Sequence, residues 1–287
     1  MRGARIEALT EPPVAADLPD AGGIRVEAVA LNPLDISVGG GVFYGGHPPL
    51  PYVPGCEAAG RLEDGTLVYL FGDGRGVATD GFLAERVALA EELALPLPEG
   101  TDPAVAAALG IAGVAAWVPV AWKAKVGPGD RVLVLGGTGA VGRIAAQASA
   151  LLGAARVVAV GRRELGRIAD EFADEGFTVC IDPVWGEPLA DALQYAQRHA
   201  RIVHVGQSAG AQSPLRSADV RGKELVVMGH SNFALTRADR DRAYLELLDH
   251  VVSGRIDLAL HRFPLDRAAE AWELQRSGPG GKVVVEL

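Results

Sequence analysis

Cysteine is scarce in this chain, and its scarcity limits the kinds of site the chain can build. The 287 residues include two cysteines, Cys56 and Cys180. Two cysteines are too few for a disulfide framework or for a cysteine-rich zinc site. Because such a composition fits a reducing compartment, we expect a cytoplasmic location.

Positive charge is also in short supply. The formal net charge of −9 at pH 7 argues against a general affinity for nucleic acid or for anionic membrane surfaces. We therefore expect neither nucleic acid nor a membrane among the partners, and any bound phosphate must be held by local donors. The amino-terminal stretch MRGARIEALTEPP lacks the apolar core and small-residue cleavage site of a signal peptide.

One segment, 103–122, has no charged residue at all. It is long enough to cross a membrane. It consists mostly of alanine and glycine, however, which add little transfer free energy and favour close packing. The segment is therefore predicted to be a buried helix of a globular protein.

Glycine, by contrast, is abundant, and one glycine-rich turn separates a predicted strand from a predicted helix. The stretch RVLVLGG at 131–137 is short and continuously apolar, as in strands buried on both faces. The turn has the spacing G-x-G-x-x-G, in which the glycines permit a tight turn, a close approach to pyrophosphate and close helix packing. The amides at the start of a helix then face an anion. We predict a dinucleotide site formed by Gly137, Thr138, Gly139, Ala140, Val141 and Gly142.

The next predicted strand indicates which dinucleotide is bound. The stretch ARVVAVGRR ends on Gly161, Arg162 and Arg163, where the adenosine ribose is expected. An NAD site needs an Asp or Glu here to bind the ribose 2′-hydroxyl, and the strand end has neither. Guanidinium groups match the geometry of phosphate. We therefore predict NADPH; the alternative is that one or both arginines are solvated charges at a strand end.

Strands and helices continue to alternate after this point. Strand-like segments at 177–183, 201–207 and 224–230 are separated by helical ones. This alternation predicts an α/β fold with a doubly wound parallel sheet. Ligands of such sheets lie outside the carboxyl ends of the strands. The further cofactor-binding candidates are therefore Gly206, Gln207, Ser208, His230, Ser231 and Asn232.

The two flanks of this region have a different pattern. Residues 1–118 are rich in proline and glycine with short alternating runs, which predicts a β-rich domain. The chain closes with another short strand-like run. We predict that 1–118 and 255–287 form one domain, and that the dinucleotide-binding domain, 119–254, is inserted into it.

Several motifs spread over the whole chain carry a resemblance to a known superfamily. They are ALNPLD (30–35), PYVPGCEAAG (51–60), AAALGIAGVAAW (106–117), GGTGAVG (136–142) and GGKVVV (280–285). With these motifs the chain resembles the medium-chain dehydrogenases/reductases, and within them the zinc-independent quinone oxidoreductases related to zeta-crystallin. The resemblance implies a Rossmann domain inserted in a GroES-like catalytic domain, and a homodimer.

The same resemblance bears on metal binding. Zinc-dependent members place a Cys where Asn32 stands and a His where Cys56 stands, and their third ligand falls in 106–117, which has no Cys or His. A catalytic zinc needs three protein ligands and one open position. We therefore predict no metal site, and we expect Cys56 to be a small buried hydrophobic residue.

The resemblance also implies that Asn32 and Asp35 line the nicotinamide pocket together with a tyrosine, which Tyr44 matches best. Without zinc, the acceptor must itself disperse the incoming charge, as a quinone or an enone does, and a hydrogen-bond donor can assist. We predict an NADPH-dependent quinone or enone reductase in which Tyr44 donates to the substrate oxygen or relays a proton. Alternatively, Asn32 and Asp35 only fix the turn at Pro33, and Tyr44 is a rim aromatic.

Two other activities remain compatible with the sequence. One is an enoyl reductase that acts on a thioester in secondary metabolism, and the other is a low-turnover NADPH-binding protein with a structural or sensing role. One departure from the resemblance affects the cofactor. Only ELGRIADEFADEG (164–176) separates two predicted strands where relatives have a further strand and helix. We expect an edge strand of the adenosine half to be missing, with a lower cofactor affinity.

Overall fold

The structure, a computed structural model, describes residues 1–72 and 74–287. The chain forms two compact units. The first consists of Met1–Ile111 and Leu258–Leu287, and the second of Ala112–Asp257. The predicted insertion, 119–254, lies within the second unit.

Fourteen strands are present in the described ranges. In chain order they are β1 (Arg2–Arg5), β2 (Val14–Asp17), β3 (Ile24–Leu31), β4 (Glu57–Arg61), β5 (Leu67–Phe71), β6 (Arg86–Val87), β7 (Ala94–Pro96), β8 (Arg131–Leu135), β9 (Arg156–Val160), β10 (Phe177–Asp182), β11 (Ala196–His204), β12 (Val226–Gly229), β13 (Leu260–Pro264) and β14 (Lys282–Glu286).

Eight α-helices accompany them in the same ranges. They are α1 (Pro33–Gly39), α2 (Pro103–Trp117), α3 (Ala140–Leu151), α4 (Arg167–Phe172), α5 (Gly186–Ala192), α6 (Ser217–Gly222), α7 (Arg237–Val252) and α8 (Ala268–Ser277). Helix α2 continues as a wider π-helical segment, Val118–Lys123. Short 3₁₀ turns occupy Glu91–Leu93, Arg162–Glu164, Leu193–Tyr195, Asn232–Ala234 and Leu265–Arg267.

The first unit is built on a mixed sheet with the strand order β13-β14-β3-β4-β5-β7, and β6 pairs with β3. Strand β14 runs antiparallel to β3 and places Val283 opposite Leu31. Strand β14 therefore pairs within the first unit. Apolar side chains of these strands and of α8, such as Trp272, form the core of this unit, since burying them removes apolar surface from water.

The second unit contains a five-stranded sheet with the order β12-β11-β10-β8-β9, in which every pair is parallel. The predicted Rossmann-like α/β fold is thereby confirmed. Strand β8 is buried along almost its whole length, which is why its sequence is a continuous apolar run. Strand β11 begins earlier than predicted, at Ala196, because its pairing with β10 starts before an irregularity in register.

Strand β9 lies at one edge of this sheet, and β10 pairs directly with β8. Only a short turn and α4 connect β9 to β10. The expected loss of an edge strand is therefore confirmed. The central strands β8, β10 and β11 each still have a paired strand on both sides.

The charge-free segment lies in a helix, Pro103–Lys123, that is long and apolar enough to cross a membrane. Of its most apolar window, 78% is buried inside the protein. The prediction of a buried core helix is confirmed. Alanine favours the helical backbone, and its small side chain permits close packing on all sides.

Candidate functional site

The glycine turn joins β8 to α3 in the second unit. Gly136 has a φ of +63°, which a residue with a side chain adopts only under strain. Helix α3 then begins at Ala140 with Gly139 as its N-cap. Because glycine offers no side chain to satisfy the first amides of the helix, these amides are left for water or for an anion.

The three motif glycines have different reasons to be glycine. A Cβ on Gly142 would overlap the carbonyl oxygen of Gly136, and a Cβ on Gly137 would lie 2.7 Å from that of Ala159. A Cβ on Gly139 would meet only the Gly136 oxygen, at 3.5 Å. Two glycines therefore serve packing, whereas Gly139 leaves open space over the backbone. This arrangement fits the pyrophosphate of a dinucleotide.

Arg162 and Arg163 lie in the 3₁₀ turn that follows β9, and both are exposed. Within 1–72 and 74–287, neither guanidinium forms an ion pair or a hydrogen bond. Sequence reasoning missed the role of their neighbour, Glu164, whose Oε2 accepts a hydrogen bond of 2.9 Å from the Gly161 amide. That carboxylate stabilises the turn, and the guanidiniums remain available to a phosphate.

The other predicted cofactor residues lie at the carboxyl ends of β11 and β12. Gln207 and Ser208 are exposed there, and a Cβ on Gly206 would lie 2.9 Å from the Pro183 oxygen. His230 is only 8% exposed, and its Nε2 lies 2.9 Å from Asn232 Oδ1. Burial, together with the nearby charge of Lys123, lowers the pKa of His230 to about 4. Its imidazole is therefore neutral at neutral pH.

In the first unit, Asn32 and Asp35 hold the start of α1. Asn32 is the N-cap, and its amide N–H donates to Asp35 Oδ2 over 2.8 Å. The Cys56 amide donates to Asp35 Oδ1 over 2.9 Å. Burial raises the pKa of Asp35 above its usual value, although hydrogen bonds from Cys56 and Asn32 oppose this. Both carboxylate oxygens are used within the fold.

A second group of contacts engages the Asn32 side chain in a polar network, which we define as Asn32, Glu57, Tyr69 and Lys282. Asn32 Nδ2 donates to Glu57 Oε1 over 2.8 Å, and Lys282 Nζ lies 2.6 Å from Asn32 Oδ1 and 3.0 Å from Glu57 Oε1. Glu57 Oε2 accepts from the Tyr69 hydroxyl at 2.9 Å and from the Ile111 amide at 2.6 Å.

The polar network is buried. Its bonds to the Asn32 side chain, and the bonds of Asp35 to two backbone amides, are compatible with the alternative in which both residues only fix local structure. Their catalytic role stays a prediction. Sequence reasoning missed the other three members of the network. The available signal was a charged residue inside an apolar run, Glu57 in CEAAG and Lys282 in KVVV, since buried charges need partners.

Tyr44 and Cys56 complete the sequence candidates in this unit. Tyr44 is 89% exposed, and its ring centroid lies 4.4 Å from that of Phe43. Cys56 is buried, and burial raises the pKa of its thiol well above the usual value. Among the residues that the structure describes, no group of three or more His, Cys, Asp or Glu side chains could hold a metal ion.

Comparisons with known proteins agree with this architecture. Residues 141–285 match the family described as zinc-binding dehydrogenase. Quinone oxidoreductase of Rattus norvegicus is 27% identical over 92% of this chain and 88% of its own length. A solved NAD-dependent alcohol dehydrogenase has a TM-score of 0.85 at 26% identity, with both chains covered completely.

A second solved structure is similar in the same way. The quinone oxidoreductase from Thermus thermophilus, which was also solved in complex with NADPH, has a TM-score of 0.81 at 26% identity over the whole of both chains. One conclusion follows from three findings: the parallel sheet with its glycine turn, the β-rich unit that includes β14, and these similarities. The chain belongs to the zinc-binding dehydrogenase family and is an oxidoreductase of the medium-chain dehydrogenase/reductase superfamily.

Proposed function

We propose that the protein is an NADPH-dependent, zinc-independent reductase of quinones or α,β-unsaturated carbonyls. One observation carries the proposal: two exposed guanidiniums follow the strand next to the glycine turn, and neither has a partner in the part of the chain that the structure describes. The similarity to quinone oxidoreductases supports the substrate class. One similar structure is an NAD-dependent enzyme, so the choice between the two cofactors rests on this chain's own loop.

The residues of the second unit fit the parts of NADPH in order. The amides at the start of α3 would bind the pyrophosphate, and Gly139 would let the phosphates approach the backbone. Arg162 and Arg163 would bind the 2′-phosphate. When bound, the cofactor supplies the hydride that reduces the acceptor.

The donor set of the first unit supports a mechanism without zinc. The Asn32 side-chain amide, which stands where zinc-dependent members have a Cys, is engaged by Glu57 and Lys282. Among the described residues, no group of three His, Cys, Asp or Glu side chains could supply the three protein ligands that a catalytic zinc needs. A conjugated acceptor suits such a site because it spreads the incoming negative charge onto its own oxygen.

The cofactor assignment is tested by replacing Arg162 and Arg163 with alanine. Each charge-assisted contact contributes about 1.5–3 kcal/mol, or roughly ten- to a hundredfold in affinity, so losing both should weaken NADPH binding by about a hundredfold or more, while NADH binding changes little. Titration calorimetry with both cofactors measures this. The control, Arg198→Ala, removes an exposed guanidinium that pairs with Glu224 elsewhere in the unit. Equal losses for both cofactors would contradict the assignment.

The role of Tyr44 is tested by Tyr44→Phe, which removes the hydroxyl and little else. If this exposed side chain donates to the substrate oxygen, enone reduction should slow by up to about 10²–10³ in kcat. Quinone reduction should change weakly, because quinones accept electrons readily. Single-turnover hydride transfer to both acceptors measures this. If both rates stay within about twofold of the parent, Tyr44 is a surface aromatic and the proton comes from solvent.

We extend the proposal to a homodimer in the cytoplasm. Strand β12 ends the parallel sheet, and its side chains Val226 and Val227 are exposed. An apolar strand edge is a template for pairing with another strand. Sedimentation equilibrium of the parent and of Val227→Lys distinguishes this dimer from a monomer. The two free, buried cysteines are compatible with a reducing compartment.

A further inference from the structure

An acid and an imidazole meet at the carboxyl ends of β10 and β11. Asp182 and His204 are partners in the parallel register of these strands. Asp182 Oδ2 lies 3.3 Å from His204 Nδ1. The carboxylate is completely buried, whereas the imidazole is partly exposed. The pair lies where ligands of doubly wound sheets bind. Neither residue is among the site residues predicted from the sequence.

The buried carboxylate orients the imidazole. Asp182 Oδ1 accepts hydrogen bonds from the amides of Val184, at 3.0 Å, and Trp185, at 2.9 Å. With donors on Oδ1, the second oxygen is left to accept from His204. In the tautomer with its proton on Nδ1, the lone pair of the ring is at Nε2. His204 Nε2 is thereby a hydrogen-bond acceptor, and the ring is oriented by the contact of its Nδ1 with Asp182.

Trp185 covers this imidazole at a conformational cost. Its φ of 58° and ψ of −159° are rare for a residue with a side chain. The ring centroids of Trp185 and His204 are 4.1 Å apart, with 39° between the planes. The hydrogen bond from the Trp185 amide N–H to Asp182 helps to hold this backbone in place. Such strain is typical of functional sites, where it fixes a side chain that packing alone would not.

The loop that carries Trp185 lies between two parts of the predicted cofactor site. On one side, a Cβ on Gly136 of the glycine turn would lie 2.9 Å from Val184. On the other, the Ala209 amide donates to the Val184 oxygen over 2.8 Å, next to the loop with Gly206. If phosphates bind at β8 and β9, the nicotinamide half extends across the crevice toward β10 and β11.

We propose that Asp182, His204 and Trp185 form a seat for the nicotinamide ribose, in which His204 Nε2 accepts a hydrogen bond from a ribose hydroxyl. This inference rests on the proposed function, since it needs a nicotinamide dinucleotide in the crevice. Asp182 orients the ring, and Trp185 packs against it at a tilt and covers one face. A hydrogen bond in such a position contributes modestly to affinity, about three- to tenfold.

The test compares two probes that share the adenosine half. NADP⁺ carries the nicotinamide ribose, whereas 2′,5′-ADP does not. His204→Asn keeps an amide near the Nδ1 position, facing Asp182, and lacks Nε2. This variant should bind NADP⁺ about three- to tenfold more weakly and 2′,5′-ADP unchanged. His204→Gln, whose amide reaches farther, should recover most of the affinity for NADP⁺. His199→Asn is the matched control, because this histidine is on the same strand and exposed.

The two binding constants separate the outcomes. If His204→Asn binds both probes as the parent does, or loses both equally, the seat is wrong and the proposed function is untouched. If the parent itself binds neither probe, the proposed function fails and the seat fails with it. If one variant does not fold, the other gives the same comparison between probes, and a loss confined to NADP⁺ supports the seat.

Discussion

The glycine-turn end of the second unit and the polar network of the first unit treat polar groups in opposite ways. At the turn, helix amides and two guanidiniums have no partner among the described residues that would compete with a ligand. In the network, Asn32, Glu57 and Lys282 bond to one another at 2.6–3.0 Å. A ligand site needs donors that the fold leaves free, whereas a buried network needs every donor satisfied.

This difference ranks the site candidates. Residues whose groups remain available, such as Arg162, are ready to bind a ligand. Residues such as Asn32 would have to give up an internal partner first, which costs about 1–3 kcal/mol per buried group. Substitutions in the network, at the buried imidazole of His230 in the second unit, and in the turn test this difference.

The largest effect is expected in the polar network. Lys282→Met leaves the buried Glu57 carboxylate without its cation, which should lower the free energy of unfolding by about 3–5 kcal/mol. Denaturant unfolding measures this, and adding Glu57→Gln should restore part of the loss. The control, Arg276→Ala, breaks an exposed pair with Glu273 and should cost less than about 1 kcal/mol. Equal costs would mean that the network contributes little to stability.

The next effect concerns His230 and pH. Its pKa is about 4 in the folded chain, against an ordinary value of 6.5. Between pH 6.5 and 4 the unfolded chain therefore binds a proton that the folded chain does not, and stability falls as the pH falls. The loss approaches about 1.4 kcal/mol per pH unit and about 3 kcal/mol in total. Above pH 6.5 this group contributes no slope.

His230→Gln should flatten that part of the stability curve. The measurement is denaturant unfolding of the cofactor-free chain at a series of pH values. Burial also lowers the pKa of His250, but that group is present in both proteins and cancels in the difference. Parallel curves for the parent and the variant would show that His230 titrates normally.

The smallest expected effect on stability is the difference between alanine substitutions at two glycines of the turn, Gly142 and Gly139. Gly142→Ala forces a methyl group onto the Gly136 oxygen and should cost about 1–3 kcal/mol of stability. Gly139→Ala has room for its methyl group and should leave the melting temperature nearly unchanged. It should weaken NADPH binding instead, because the pyrophosphate would approach that backbone. Thermal melts and calorimetry of both variants test this contrast, which fails if Gly139→Ala binds NADPH like the parent.

Local patterns were sufficient to predict the frame of the second unit. The apolar run of β8, the glycine turn and the start of α3 each depend on neighbouring residues, so their sequence carries the signal. The loss of the edge strand was also visible, since a connection as short as 164–176 cannot hold a further strand and helix. Strand ends were less accurate, as the early start of β11 shows, because pairing with β10 extends it.

The sequence by itself determined where the backbone must turn tightly, which helix is buried and which strand end carries two arginines. Those features depend on residue type and spacing within a few positions. Only the tertiary structure decided that Lys282 meets Glu57, 225 positions away, and that Asp182 faces His204 across a strand pair. It also decided that Asn32 is engaged internally and that Tyr44 is exposed. Contacts of this kind follow from strand register and packing, for which no local stretch of sequence holds the information.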